Sequence, residues 1–455
     1  MEQVNAWLEW LSGIVWGPYL LIPLLLGTGL YLTVRLSGLQ FRTLGSALRL
    51  ALWERKDQGA EGGDISQFQA LTTALAATVG VGNIVGVAGA IAIGGPGALL
   101  WMWLTGLVGM ASKYAEAFLA VRFRTTDAKG EVSGGPQYYL MKAIRGKGGV
   151  VLSIVFAAFA ALASFGIGNM TQANAVVGNL NHSFGFDTQI AAIVIALLVG
   201  AVIIGGIKSI GNVTAALVPL MIVFYVLGAL YILLANVSAL PHAIGLVFTD
   251  AFTGTAAVGG FLGSSVIIAM QYGVARGIFS NESGMGSAAI AAAAAKTTHP
   301  VRQGLVSMTQ TFIDTIIVVS MTGLVLVTTG VWQGTPGVKL DKNVLTSQAF
   351  SYGLPGEWGG YIVSIGVVLF AFSTILGWSY YGDRCVERLF GVRAVLPYRI
   401  IFTIVVYIGA TIPLDVVWNA ADVLNGLMAL PNLIGLLILS GLIARETRHY
   451  LKHDP

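Results

Sequence analysis

The sequence predicts an all-α polytopic membrane protein with about eleven transmembrane helices: one N-terminal extra helix, then two inverted blocks of five, each block containing a discontinuous helix. Three observations carry this. Of 455 residues, 56% are hydrophobic and only 10% are charged, whereas soluble domains carry about 25% charged residues. Apolar stretches long enough to cross a bilayer recur along the chain. Basic residues gather on alternate polar stretches between them.

A span needs about 20 mainly apolar residues. Candidates run over 14–34, 67–92, 97–121, 150–179, 188–206, 212–235, 258–294, 303–330, 358–382, 397–412 and 417–443. The longest polar stretches between them, 35–66, 122–149 and 331–357, are too short for a soluble domain. The opening MEQVNAWLEW has no Lys or Arg and contains Glu2 and Glu9, unlike the basic start of a cleaved signal peptide. Basic residues then cluster at Arg35, Arg42, Arg49, Arg55 and Lys56, and at Arg122, Arg124, Lys129, Lys142, Arg145 and Lys147. Lys208, Lys296, Arg302, Arg384, Arg388, Arg393, Arg445, Arg448 and Lys452 follow. All fall on one side if the spans alternate from an outside N-terminus; only Lys339 and Lys342 fall opposite. The positive-inside rule then puts the C-terminus in the cytoplasm of a multi-pass protein of the plasma (inner) membrane, with the lipid bilayer as a partner. The expected division is 1–66 (first helix and cytoplasmic loop), 67–235 (first five-helix repeat), 258–443 (second, inverted) and 444–455 (cytoplasmic tail).

Two spans are interrupted. ATVGVGNIVG, residues 77–86, sets Gly80, Gly82 and Gly86 around Asn83 inside an apolar run. Glycine at that density weakens a helix, and a broken helix at membrane depth survives only where its freed backbone groups meet protein, water or a ligand. Isolated glycines more often serve close helix packing. Here Thr78 and Asn83 share the stretch, and a mid-span Asn needs a partner. The second stretch, Gln271 to Lys296, holds Gly273, Arg276, Gly277, Asn281, Glu282, Gly284 and Gly286. Each interruption opens a block of five helices, so the blocks have opposite orientations. Paired interrupted spans in inverted halves point to a midplane transporter site. Freed N–H groups at the start of a half-helix favour a carboxylate, and freed carbonyls favour a small cation. An amino acid with a coupled sodium ion fits both poles.

ATVGVGNIVGVAGAIAIGGPGALLWMWLTGLVGM (77–110) resembles the signature region of the sodium:alanine symporter family, the alanine or glycine:cation symporters, and GVARGIFSNESGMGSAAIAAAAA (273–295) is similar to a second block of that family. The resemblance covers nearly the whole chain. It implies transport of alanine, glycine or similar small amino acids with Na⁺, sometimes H⁺, on the five-plus-five inverted repeat of the leucine-transporter fold. Similarity to the N-A-V-G-L-G-N run of neurotransmitter:sodium symporter relatives implies that the Val81 and Gly82 amides bind a carboxylate. It further implies that the Ala76 and Val79 carbonyls, with Ser373 and Thr374 of AFSTILGW, ligate sodium. Thr78 and Asn83 match positions holding a further ion or the substrate; Gly273 and Gly277 are assigned to the substrate site. Those relatives place an outer-gate arginine where this chain has Gly86.

Other residues carry competing readings. Gln172 either bonds another helix or meets the substrate's ammonium or carboxylate. Trp378, one turn beyond Thr374, is core or a wall limiting side-chain size. Asp314 lies mid-span and binds a cation, carries a proton, or pairs with Arg276; pairing or hydrogen bonding ranks first. Lys113 and Glu116, three apart, read as a local ion pair. Arg276 is expected to hold the unwound backbone or close an inner gate. Pro431 is expected to kink the last span, and Asp422 to face an outer vestibule. The alternative functions are a proton-coupled permease of the same fold and, less favoured, an ion channel. An enzyme is not expected. The single Cys385 allows no internal disulfide, and His182, His242, His299, His449 and His453 form no metal-ligand pair on one helix face. No nucleophile–base pair stands out, and nothing points to a nucleic-acid partner.

Overall fold

The computed structural model describes residues 2–60, 62–253, 266–334, 342–356 and 358–453, and nearly all of them are helical. In chain order the helices are α1 (Glu2–Val15), α2 (Leu21–Arg35), α3 (Leu39–Arg42), α4 (Leu44–Arg49), α5 (Gln67–Thr78), α6 (Val87–Gly94) and α7 (Ala98–Arg122). A two-stranded hairpin, β1 (Thr125–Thr126) with β2 (Val132–Ser133), precedes α8 (Pro136–Ala143) and α9 (Lys147–Phe165). Then come α10 (Thr171–Phe184), α11 (Thr188–Ile203), α12 (Gly206–Ala235), α13 (Leu240–Thr253), α14 (Val266–Asn281) and α15 (Ala288–Ala293). The chain ends with α16 (Pro300–Thr311), α17 (Ser320–Thr329), α18 (Lys342–Gly353), α19 (Trp358–Phe390), α20 (Val395–Thr411) and α21 (Asp415–His453). Wide, π-type turns join α5's break to α6, α9 to α10, and α16 to α17.

Among the described residues six helical stretches are long and apolar enough to cross a membrane: Lys147–Phe184, Gly206–Ala235, Pro300–Thr329, Trp358–Phe390, Val392–Thr411 and Val416–Lys452. A seventh is the pair Gln67–Thr78 and Gly82–Gly94, bent by 53° at its break. Of the other expected spans, Leu21–Arg35 and Thr188–Ile203 are apolar but shorter. Ala98–Arg122 is 25 residues long but contains Lys113, Glu116 and Arg122, and residues 258–265 of the second interrupted span lie outside the described residues, as does Lys339. Outward-facing Leu197, Leu220 and Leu227 leave more than half of their surfaces uncovered by protein, as lipid-facing side chains do.

The first span starts later than the sequence suggested. Residues 14–20 turn at Gly17-Pro18, because proline lacks the N–H that would continue α1. α1 is thus a separate helix laid against α21, where Asn419 donates to Asn5 (2.8 Å) and the Trp16 indole donates to the Asp422 carbonyl (2.9 Å). The polar stretches also hold structure: α3 and α4 within 35–66, the hairpin and α8 within 122–149, and α18 within 331–357. Pro431 lies inside α21, which is one continuous helix.

The two interrupted helices run antiparallel. Ile65, just before α5, forms a parallel backbone bridge with Ala295, just after α15. At the other extreme, Gly94 closing α6 lies against Ala269 of α14. Midway, Gly82 faces Phe279 and Ser280.

Gly273 and Gly277 serve this packing, not the cavity. A Cβ on Gly273 would stand 2.4 Å from the Ala98 carbonyl oxygen, and one on Gly277 2.3 Å from Thr105 Oγ1. Both let α14 press onto α7, so their assignment to substrate binding is corrected.

The second break, 282–287, turns through positive φ at Glu282, Gly284 and Gly286. Its freed backbone groups are taken up by α7 and α21. Lys113 Nζ donates to the Glu282 carbonyl (3.0 Å), Gly286 N–H donates to Glu116 (3.0 Å), and Asn432 donates to both Glu116 (2.7 Å) and the Gly284 carbonyl (2.8 Å). Lys113 and Glu116 are 3.8 Å apart and almost wholly buried. They form a pair, as their spacing suggested, but a pair that plugs a broken helix.

Two stability predictions follow from this packing. Lys113→Met leaves Glu116 buried without its counter-charge and costs roughly 3–5 kcal/mol, read as a lower thermal midpoint in detergent. Lys113→Met/Glu116→Gln regains most of that loss; equal losses in both variants would remove the charge pair as the cause. Gly273→Ala, pushed against backbone, costs about 1–3 kcal/mol of stability. Unaltered thermal unfolding of that variant would return Gly273 to the list of ligand contacts.

Candidate functional site

α5 starts at a capping box: Ser66 Oγ accepts from Gln69 N–H, and the Gln69 side chain accepts from Ser66 N–H. The helix ends at Val79, whose N–H still bonds Leu75 O (2.8 Å). The next two amides are handled differently. Gly80 N–H donates to Asn83 Oδ1 (3.0 Å). Val81 and Gly82 open the following half-helix, where first-turn N–H groups have no intrahelical acceptor. Both line the large vestibule described below.

Ser373 and Thr374 of α19 reach the break from the other side. Thr374 Oγ1 is 3.0 Å and Ser373 Oγ 3.4 Å from the Ala76 carbonyl oxygen. A Cβ at Gly80 would stand 2.6 Å from Thr374 Oγ1, so only glycine lets α19 approach so closely. Gly377 presses likewise on Ala77. Ala76, Ser373 and Thr374 are thus together. Val79, three residues on from Ala76, is fully buried. These are uncharged hard oxygens, a donor set suited to Na⁺.

Gln172 stands on α10, following the wide turn Gly166–Met170. Its Nε2 donates to the Ile167 carbonyl (3.0 Å), while its buried Oε1 has no partner among the described residues. That oxygen lies 3.5 Å from where a Gly80 Cβ would be. Trp378 packs its indole on Gly168, where a Cβ would come within 2.3 Å, and donates from Nε1 to Glu282 Oε1 (3.0 Å). Ser287 Oγ bonds the other Glu282 oxygen.

These groups enclose a central cavity of about 20 Å³, near the space of one ordered water. Thr78, Gly80, Gly82, Gln172, Glu282 and Trp378 line it, with Phe279, Ile167 and Asn425. Above it a vestibule of about 1280 Å³ leads away from the basic loops, towards α1 and the start of α21. Gly82, Gln172 and Phe279 belong to both spaces, so the Phe279 ring forms part of the floor of one and the roof of the other. Arg276 lies on the vestibule wall, its guanidinium 5.3 Å from the Phe279 ring centroid and its stem against Gly86. It therefore neither holds the unwound backbone nor sits at the basic end. Asp422 also lines the vestibule.

Asn83, Thr78 and Asp314 form a separate polar knot. Asn83 Nδ2 donates to Asp314 Oδ1 (2.7 Å), and Ser280 and Thr315 hydroxyls donate to Oδ2 (both 2.9 Å). Thr78 donates to Ala74 O (3.0 Å) and accepts from Gln310 (2.8 Å). Asp314 is thus hydrogen-bonded, as ranked first, but to these donors and not to Arg276. Asn83 has its carbonyl on Gly80 and its amide on Asp314; it braces the break and does not line the cavity.

The end carrying the basic loops is closed. Asp64 N–H donates to Ala294 O (2.8 Å) and Lys296 N–H to Ile65 O (2.7 Å). Arg124 donates to the Ala293, Ala295 and Gly62 carbonyls (3.1, 2.7 and 2.9 Å). Arg384 gathers Asp127, Asp383, Glu131 and Glu387 within 3.5 Å, joining the hairpin to α19. Sequence reasoning missed Phe279, Ile167 and Asn425 as cavity residues. The Asn in the apolar run VLNGLMAL was a usable signal; an apolar ring in an apolar helix gives none.

The family described as the sodium:alanine symporter family matches residues 1–455. The sodium/alanine symporter AgcS of Methanococcus maripaludis is 52% identical over 441 residues, 96% of this chain and 95% of the relative. The amino-acid carrier protein AlsT of Bacillus subtilis is 36% identical, covering 95% and 89%. The probable sodium/glutamine symporter GlnT of that organism is 35% identical, covering 99% and 92%. Among solved structures, MhsT in complex with L-phenylalanine superposes with TM-score 0.57 at 15% identity, covering 85% of this chain and 99% of that one. A Na⁺-coupled sialic acid symporter gives 0.50 at 14% identity, covering 95% and 84%. Both share the fold of this chain; the family and the relatives are transporters, not enzymes. By end-to-end agreement with the family and half-identity to a full-length relative, the chain belongs to the sodium:alanine symporter family.

Proposed function

We propose that this chain is a Na⁺-coupled symporter of small neutral amino acids, alanine or glycine, working by alternating access around the central cavity. The observation that carries the reading is the α5–α6 break, which opens its half-helix start at Val81 and Gly82 onto the space where the unpartnered side-chain oxygens of Gln172 and Asn425 also lie. The Val81 and Gly82 amides, at the positive end of a half-helix, receive the substrate carboxylate. The Gln172 Oε1 and Asn425 Oδ1 atoms, buried and without partners among the described residues, receive its ammonium. Glu282, on the same cavity, adds negative charge at that pole.

Na⁺ is the co-transported ion. Ala76 O, Val79 O, Ser373 Oγ and Thr374 Oγ1 hold it beside the break, the two hydroxyls withdrawing their hydrogens from Ala76 O and presenting lone pairs to the ion. An ion on the Ala76 and Val79 carbonyls orders the strand that presents the Val81 and Gly82 amides. Ion and substrate thereby raise each other's affinity, as linkage requires. Trp378, Phe279 and Ile167 line the cavity and limit the side chain it accepts; each methylene is worth roughly 1–3 kcal/mol of discrimination. The basic loops put the closed end in the cytoplasm. The vestibule then faces outside, with Phe279 between it and the site and Arg276 on the vestibule wall beside that ring, filling the part that Gly86 leaves open. The inverted five-helix repeats, 67–235 and 258–443, give the antiparallel broken helices a common frame for rocking.

Removing Na⁺ at constant pH abolishes alanine uptake into proteoliposomes. Uptake that persists would favour the proton-coupled permease. Ser373→Ala raises the Na⁺ concentration for half-maximal uptake roughly 10-fold, the loss of about one ligand's worth of hydrogen bonding. Gln172→Leu weakens alanine binding at saturating Na⁺ by a similar factor, about 10-fold. Sodium affinity unmoved in the first variant, or alanine affinity unmoved in the second, would remove that residue from the site.

A further inference from the structure

A second concave site lies at the basic end, away from the transport cavity. Between the ends of α7 and α21 and the start of α16 there is a cleft of about 680 Å³. Its charged lining is Arg122, Arg124, Arg445 and Glu446, with His299 and His449. Three guanidinium groups thus share one carboxylate, and that carboxylate is already paired with Arg122 at 3.2 Å. Arg445 is exposed and makes no ion pair or hydrogen bond among the described residues.

Further features add to the positive potential. α16, of 12 residues, begins at the cleft, with Pro300 in its first turn and His299 as its cap. The partial positive charge of a helix start therefore adds to that of the arginines. His299 Nδ1 accepts from Val301 N–H at 3.1 Å, so the neutral ring carries its proton on Nε2. The ring is held by stacking on Tyr450, 4.5 Å between centroids.

We propose that this cleft binds the phosphate of an acidic phospholipid headgroup from the adjoining leaflet. It lies at the basic end, where α7, the start of the Pro300–Thr329 span and the last turns of the Val416–Lys452 span meet. Basic pockets between transmembrane helices on the cytoplasmic side are suited to anionic headgroups. A phosphate oxygen set is also the shape a guanidinium fork matches. The position gives the site a consequence. Arg124, on the cleft wall, is the residue that grips the Ala293, Ala295 and Gly62 carbonyls. An anion offsets the mutual repulsion of Arg122, Arg124 and Arg445. It so favours the state in which the end of the second broken helix stays fastened to the start of the first. Lipid charge then tunes how readily the basic end opens. The orientation proposed above decides only which leaflet supplies the lipid.

The test is binding to the purified full chain in neutral detergent, followed by native mass spectrometry and thermal shift. Neither readout depends on sodium or alanine. Short-chain phosphatidylglycerol binds saturably and raises the unfolding temperature; short-chain phosphatidylcholine at the same concentration does not. Arg445→Ala weakens binding roughly 5-fold, equivalent to the ~1 kcal/mol of one basic residue at an anionic lipid surface. Arg445→Glu abolishes it. Arg393→Ala, which removes an exposed charge of the same end outside the cleft, leaves it unchanged. Inorganic phosphate that competes supports recognition of the phosphate group alone; phosphate that does not compete supports recognition of the intact lipid. Equal phosphatidylglycerol affinity in the wild type and Arg445→Glu would overturn the proposal. So would an Arg393→Ala loss as large as that of Arg445→Ala, which would mean diffuse surface charge and no site.

Discussion

A peptide N–H or C=O in hydrocarbon must find a partner, and everything distinctive here follows from where this chain withholds one. Both interrupted helices free backbone groups at membrane depth. At the second break nearly every freed group has a protein partner: Lys113 on one carbonyl, Asn432 on another, Glu116 on an amide. At the first, Gly80 is answered by Asn83, but Val81 and Gly82 are left facing the cavity and vestibule. The asymmetry separates a structural break from a receptive one. It also explains why charged groups of α7 are buried so deeply: they replace the water that an unwound segment would otherwise need.

The ion chemistry follows the same logic. A buried fixed carboxylate beside the Ala76 carbonyl would bind Na⁺ tightly but release it slowly. The groups present, carbonyls and hydroxyls, are neutral. The hydroxyls of Ser373 and Thr374 donate to Ala76 O and Phe370 O. On the proposed reading, Na⁺ binding there exchanges one set of hydrogen bonds for ion contacts at small net free energy, which suits an ion that must be both taken up and given off. Asp314, by contrast, is surrounded by three donors and ties α14, the first break and the wide turn of α16–α17 into one block.

Much of this was legible in the sequence, for identifiable reasons. Three glycines around an asparagine mark a break because the backbone itself is the signal. Gln172 stands out because an amide in an apolar helix must be explained. Gly273 and Gly277 misled because a glycine near a break serves either unwinding or close approach, and only the path of α7 decides which. Lys113 and Glu116 were read as a local pair because a spacing of three is visible. Their further partners are invisible in that spacing: the Glu282 carbonyl, 169 positions from Lys113, and for Glu116 the Gly286 N–H and Asn432. Gly17-Pro18 was a readable stop that the apolar residues on either side concealed.

The two ends of the molecule are closed by different means, and the difference bears on how it can cycle. Towards the vestibule the barrier is an aromatic ring, Phe279, with Arg276 above it; moving it requires side-chain rotation and a small shift of α14. At the basic end the barrier is backbone bonded to backbone across Ile65 and Ala295, reinforced by Arg124 and by the Arg384 network. Opening that end means separating two chain segments and leaving several amides and carbonyls to water. Those segments border the polar loops, where water is at hand to receive the freed groups, so the separation is feasible there and would not be at the midplane. On the proposed alternating-access reading, the costlier opening therefore sits at the basic end and the easier one at the cavity. On that reading the chain waits with its vestibule open, and binding at the first break supplies the work that shifts it.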